Sequence, residues 1–318
     1  MRAATKGVFE TMAQVGGGDA GALAVGLRHG VTSVGLRALA AKTLHVAAAA
    51  PERMADIYDN AAAGWLSGPI FPPRLKSDDP LPISPGFWRL FWDLASLPTT
   101  TPHAVIAERT LQLAGELDPG INPRMAATAL ECRGVAEAAA GGLPRPLDVA
   151  SLSQRRPASL GFLLSQELSH AGGLADPFGP PLIALLRHMP APLNSINIRV
   201  IQTLPLLGLV AGYGRAGLDR AALGGFLMAQ VAHHYSALST AVTLGAMSVR
   251  RPPSLELTLD SIFKGWAHGR TTPPLIGAPW NDLMDLRLDD VRAALGVTAF
   301  DSPYAAARRA LDAKATRH

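Results

Sequence analysis

Four groups of residues in this 318-residue chain have types and spacings that could do chemistry. Glu167 and His170 stand three apart, so on a helix both side chains leave one face, a pairing that di-metal helical bundles use. Such bundles need a second copy and further carboxylates, and the sequence has no second copy. The spacing therefore favours a surface pair just before the Gly172-Gly173 stop. His233 and His234 are adjacent and point about 100° apart on a helix, too far to share an ion easily. His234 falls on an apolar stripe and reads as a core or pocket-lining imidazole. Gly16-Gly17-Gly18-Asp19-Ala20-Gly21 is glycine-rich, but a phosphate cradle needs a strand before it and a helix after it. No strand pattern precedes it, so it reads as a turn. Cys132 lies in an Ala-rich stretch and reads as a small packed side chain. A single cysteine excludes an intrachain disulfide and a zinc site built from cysteines. Gly-x-Ser-x-Gly is absent, and no basic run is interleaved with aromatics, which argues against nucleic acid as a partner.

The elements that would position these groups are helices. Hydrophobic residues make up 48% of the chain and charged residues 17%, the balance of a folded protein. Apolar residues recur at helical spacing over 33–50, 102–116, 122–140, 159–171, 181–188 and 193–211. Residues 218–249 form the longest candidate, with Leu227, Val231, His234, Leu238 and Val242 on one face. Further candidates are 255–268, Leu288–Leu295 stopped by Gly296, and Pro303–Leu311. No alternating strand pattern is present, so the expected class is all-α, a multi-helix bundle. Glycine and proline cluster at 16–18, 64–73 and 80–86, so residues 1–85 are expected to form an irregular arm or linker. Residues 86–300 are expected to form the helical domain and 301–318 a helical tail. Nothing apolar and compact follows Arg2 and Lys6, so no secretory signal is expected. No stretch reaches roughly 20 uninterrupted apolar residues. Segment 31–50 comes closest, broken by Arg37, Lys42 and His45. A net charge of +4 suits a negatively charged membrane surface without demanding one.

Three stretches, in order, carry a resemblance. Pro157-Ala158-Ser159-Leu160-Gly161 is the first. The second is Leu209-Val210-Ala211-Gly212-Tyr213-Gly214-Arg215, running on to Leu218. The third is Gly269-Arg270-Thr271-Thr272-Pro273-Pro274-Leu275-Ile276, then Trp280, then Leu286 through Val297 with its Leu-x-x-Val-Arg-x-x-Leu-Gly pattern. Together they cover about 145–298, and the chain resembles the coenzyme Q biosynthesis protein 4 family. The resemblance implies an α-helical scaffold with an apolar tunnel sized for a polyprenyl lipid, acting in ubiquinone synthesis. It also implies a cytoplasmic protein peripheral to the inner membrane, with other ubiquinone-biosynthesis proteins as partners.

One departure stands out. The family's metal signature is His-Asp-x-x-His, eleven residues, then Glu, set around Gly-Tyr-Gly-Arg. Counted from Gly212, those positions hold Leu204, Pro205, Gly208 and Arg220, and a shifted alignment puts Leu209, Val210, Tyr213 and Gly225 there. Neither set offers the imidazole and carboxylate donors that such an ion needs. No metal or other cofactor is therefore expected, and no catalytic residue is assigned. Leu204, Leu207, Leu209, Val210, Leu227, Val231, His234 and Leu238 are the expected lipid-pocket residues, with Arg199 and Arg215 at its polar mouth. The expected function is a scaffold that binds a polyprenyl quinone or precursor and presents it at the membrane, with a homodimer left open. One alternative is a metal-dependent decarboxylase or hydroxylase of the quinone ring, with ligands recruited from His170, His188, His233 or His234. Another is a structural interaction protein whose residues 1–85 wrap a partner.

Overall fold

The computed structural model describes residues 3–30, 32–68, 79–142, 149–170, 180–215 and 217–302. Among the described residues the regular structure is helical. The first helices are α1 (Ala3–Val15), α2 (Ala20–His29), α3 (Ser33–Ala48), α4 (Met54–Leu66, after a 3₁₀ turn over Pro51–Arg53), α5 (Pro85–Ala95) and α6 (His103–Ala114). Next come α7 (Ile121–Leu130), α8 (Val135–Ala140), α9 (Val149–Leu152), α10 (Leu160–His170), α11 (Pro180–Arg187) and α12 (Leu193–Ala211). The last are α13 (Gly217–Val231), α14 (His234–Arg250), α15 (Leu255–Thr271), α16 (Trp280–Leu283) and α17 (Leu288–Leu295). The expected helix Pro303–Leu311 and most of the 301–318 tail lie outside the described residues.

The all-α class holds, but the N-terminal region is not an irregular arm. The glycine-rich run is the turn between α1 and α2, where Asp19 caps α2 by accepting from the amides of Gly21 and Ala22. Thr32 caps α3 and Ser84 caps α5, with Pro85 in its first turn. Helix α3 is buried on nearly every side, from Leu36 to Ala48, so it must lie inside a protein rather than on one. It packs against α1, α2 and α14. Phe9 of α1 stacks on Phe91 of α5 at 5.6 Å between ring centroids and meets Trp92 at 5.1 Å. The Trp92 indole donates to Glu10 at 2.7 Å. Trp266 of α15 donates to Asp59 of α4 at 2.8 Å, and its ring stacks on Tyr58 at 5.0 Å. Residues before 85 therefore share one core with the rest, and no domain boundary falls there. The punctuation by glycine and proline marked turns between short helices, which sequence spacing alone does not separate from a linker.

The tightest helix pair is α13 with α15, and small residues set its distance. A Cβ added at Gly265 would lie 1.9 Å from the Ala222 carbonyl oxygen, and one at Gly225 would lie 2.3 Å from that of Ile262. At Gly269 it would meet the Phe226 carbonyl at 2.7 Å. A similar contact joins α2 and α4, where a Cβ at Gly64 would lie 2.3 Å from the Gly21 carbonyl oxygen.

Two expected helices are each broken in two. Gly134, at φ 74°, separates α7 from α8 inside 122–140. Ala232, at φ 50°, separates α13 from α14 inside 218–249. The stripe from Leu227 to Val242 is apolar throughout because both halves are buried, but α13 packs on α15 while α14 packs on α3. One straight helix could not serve both partners. Helix α12, not segment 31–50, is the described helix long and apolar enough to cross a bilayer, with 19 residues at a mean hydropathy of 1.2. Over half of that window is buried within the bundle, as a core helix would be.

Replacing Gly265 by Ala should lower stability by about 1–3 kcal/mol through overpacking, read as a drop in the urea midpoint. Gly7→Ala, at an exposed position in α1 with nothing within 4 Å, should raise it by about 0.5–1 kcal/mol. Equal midpoints for the two variants would refute the backbone contact.

Candidate functional site

The expected apolar pocket corresponds to a seam between α12 and α13. Leu207, Val210, Leu227, Val231 and Leu238 are buried, while Leu204, Leu209 and His234 are half-buried. Val200, Thr203 and Leu207 of α12 meet Phe226, Leu227 and Val231 of α13, with Leu275 and Ile276 closing one side. The void left among them is about 10 Å³, room for one water-sized sphere. Leu238 sits on α14, beyond the break, and does not line this void.

The arginines expected at the mouth are already engaged. Arg215 pairs with the Glu167 carboxylate at 2.7 Å and donates to the Glu167 carbonyl at 2.8 Å. Arg199 donates to the Gly142 carbonyl at 2.8 Å, and burial lowers its pKa. Neither lines the seam void. Of the four positions that the resemblance aligned with a metal signature, Leu204, Pro205 and Gly208 lie half-buried in α12 and Arg220 is exposed on α13. Pro205 stands inside α12, where it cannot supply an amide hydrogen.

The histidines that could be recruited are placed apart from one another in role. His233 Nδ1 shares a hydrogen bond with the Ser236 hydroxyl at 2.8 Å. His234 Nε2–H donates to the Ala47 carbonyl at 2.6 Å, tying α14 to α3. His188 is exposed. Among the described residues no three His, Cys, Asp or Glu side chains are grouped as metal ligands would be. Burial depresses both imidazoles to about 4, with the neighbouring His234 charge adding to the effect on His233.

The three stretches with family-like patterns meet in space. The Leu160 and Gly161 amides donate to the carbonyls of Leu286 and Met284 at 2.8 and 2.9 Å. Gly212, at φ 82°, ends α12, and Arg292 of α17 donates to the freed carbonyls of Val210 and Leu209 at 2.9 and 3.0 Å. Tyr213 donates to His268 Nδ1 at 2.7 Å, because His268 Nε2–H is given to the Thr298 carbonyl at 2.9 Å. Tyr213 also stacks on Phe300 at 4.6 Å. These residues lock the end of α12 against α15 and α17; they do not line a cavity.

Sequence reasoning missed a second opening, away from the seam. A cleft of about 670 Å³ lies between the Pro51–Arg53 turn and α4, the end of α7, and the C-terminal turns of α13 and α15. It is lined by Arg53, Arg133 and Arg270 and by Glu52, Asp56 and Glu131, together with Trp266 and Cys132. Burial pushes the Cys132 thiol up to about 11, so it is protonated at neutral pH. Gln230 lines both this cleft and the seam. Its amide donates to the carbonyls of Gly269 and Thr272 at 2.8 and 3.0 Å and accepts from the Leu275 amide at 3.1 Å. No spacing rule joins residues 52, 133, 230 and 270; Cys132 had drawn notice as a lone thiol, and Gly269, Arg270 and Pro274 only as part of a sequence pattern.

The class defined is thus an all-helical bundle with a closed apolar seam and a separate polar cleft. No family model matches the chain, and no curated protein matches it. In fold it is similar to the crystal structure of a provisionally assigned ubiquinone biosynthesis protein from Nostoc punctiforme PCC 73102, with a TM-score of 0.52 and 17% identity. The match covers 67% of this chain and 97% of that one. At this identity the likeness establishes a shared fold.

Two outcomes follow from this geometry. His233 and His234 stay neutral when folded down to about pH 4, whereas in the unfolded chain they take up protons below about 6.5. Stability should therefore fall as pH drops through that window, and a double His→Gln variant should show a shallower fall in urea titrations at pH 7, 5.5 and 4. Tyr213→Phe leaves His268 Nδ1 without a donor and should cost about 1–2 kcal/mol. An unchanged melting temperature would contradict the lock.

Proposed function

We propose that this chain acts in ubiquinone biosynthesis by binding a polyprenyl quinone or a precursor and presenting it at the cytoplasmic face of the membrane. The observation that carries the reading is the fold it shares, over 97% of the neighbour's length, with the Nostoc ubiquinone biosynthesis protein. The ordered Gly-Tyr-Gly-Arg, Gly-Arg and Leu-x-x-Val-Arg-x-x-Leu-Gly patterns support it, as a divergent relative of the coenzyme Q biosynthesis protein 4 family. The aliphatic seam supports the lipid part of the reading. Leu207, Leu227, Val231, Leu275 and Ile276 offer an isoprenoid tail only hydrocarbon.

The seam is closed in this state, so the tail enters by parting α12 from α13. Parting there is easier than between α13 and α15, where glycines bring backbone against backbone. The leucine, proline, glycine and arginine at 204, 205, 208 and 220 leave the α12–α13 end without the donors for ring chemistry on a metal, so the role is presentation rather than turnover. Partner biosynthetic enzymes would take up the lipid.

The test is binding of quinones that share a ring and differ in tail. Each buried methylene contributes about 0.8 kcal/mol, so affinity should rise steeply from a tail-less quinone to one with two or more isoprene units. Lipid extracted from the purified protein should contain a prenylated ring by mass spectrometry. Affinity independent of tail length, with no lipid extracted, would end this reading.

A further inference from the structure

Several helix ends meet at the end of the bundle away from the cleft. The His234–Ala47 hydrogen bond joins the start of α14 to the end of α3, and the two helices pack along their length, so they run antiparallel. The end of α14 therefore lies beside the start of α3. Arg250 of α14 donates to the Ala95 carbonyl, which adds the end of α5. Arg28 of α2 donates to the Trp65 carbonyl at 2.8 Å, which joins the ends of α2 and α4. A short turn leads from α2 into α3, and another from α14 into α15.

The side chains gathered there are basic and aliphatic. Arg28, Arg250 and Arg251 are exposed and Arg37 is half-buried, with His29 beside them in the chain at the end of α2. Among the described residues none of these four guanidinium groups is paired with a carboxylate. Arg28, Arg37 and Arg250 donate to carbonyls instead, Arg37 to that of Ser33 at 3.1 Å. The carboxylates on these helix ends are Asp93, Glu256 and Asp260, the last paired with Lys264 at 2.8 Å. Three aliphatic side chains stay in solvent at the same end: Val34 is 66% exposed, Leu257 43% and Val249 37%. Hydrocarbon exposed among unpaired arginines suits a bilayer surface, where the aliphatic groups enter the headgroup boundary and each guanidinium meets phosphate oxygens. Nucleic acid would satisfy the arginines, but it would leave the valines and leucine uncovered. No aromatic ring among the described residues is exposed for a base to stack on.

We propose that this end of the bundle docks on a bilayer carrying anionic phospholipid, with Arg28, Arg250 and Arg251 on headgroup phosphates and Val34, Val249 and Leu257 at the acyl boundary. The proposal deepens the membrane part of the function proposed above and rests on it. It shares no residue with the seam or the cleft. The aliphatic side chains are short and few, so docking is peripheral, reversible and sensitive to salt.

The test sediments the full chain with vesicles of phosphatidylcholine alone or mixed with about 30% phosphatidylglycerol, at about 0.1 M and about 1 M salt. Binding should be at least about tenfold tighter to the mixed vesicles and should fall at the higher salt. Arg251→Gln should weaken it about fivefold. Val34→Ser with Leu257→Ser, both at exposed positions, should weaken it about tenfold. Arg156→Gln, exposed in the turn before α10, should bind as the parent does. Melting temperatures equal to the parent's show that the variants fold. No binding to either vesicle, equal binding to both, or a loss with Arg156→Gln as large as with Arg251→Gln overturns the face. So does a serine pair that binds unchanged, or tighter binding of duplex DNA than of mixed vesicles. Tail-dependent quinone affinity with no vesicle binding sinks the face and spares the seam. Vesicle binding with no tail dependence does the reverse.

Discussion

The backbone contact between α13 and α15 is the constraint on which the rest of this structure depends. Gly225, Gly265 and Gly269 let the two helices approach until carbonyl oxygens sit where side chains would otherwise be. That closeness places Gln230 within reach of the Gly269 and Thr272 carbonyls, and it turns Trp266 toward Asp59 of α4. It fixes one wall of the seam and one wall of the cleft at once. A bulkier residue at any of the three glycines would move both.

Around that pair the two sides of the molecule are held by different means. On the N-terminal side, aromatic packing of Phe9 with Phe91 and Trp92 and the buried helix α3 join α1–α6 to α14. On the other side, α12 packs on α7, α8, α10, α11 and α17, and its C-terminal end is closed by Arg292 on its last carbonyls and by Tyr213 on His268.

The stretches that resembled a known family have a structural explanation that the resemblance itself did not supply. They are the residues that close the end of α12: a left-handed glycine, a buried tyrosine, an arginine that caps a helix it is not part of, and a short backbone pairing of Leu160 and Gly161 with Leu286 and Met284. The side chains at positions 204, 205, 208 and 220 take no part in these hydrogen bonds.

The sequence by itself determined the helical class, the end of a helix near 211 and the stop at Gly296, because helical periodicity and end signals are local. It did not determine which helix each apolar face would meet. The stripe from Leu227 to Val242 is continuous in sequence, yet it divides at Ala232 because its halves serve different partners. Residues 1–85 looked like an arm because glycine and proline mark a turn between helices and a linker alike; packing against α5, α14 and α15 made the described helices among them part of the core. The pairing of Arg215 with Glu167, and the gathering of Glu52, Arg133, Gln230 and Arg270 around one cleft, were decided by tertiary structure alone. Side chains up to 218 positions apart in the chain have no local pattern to betray them, since only the fold sets their distance.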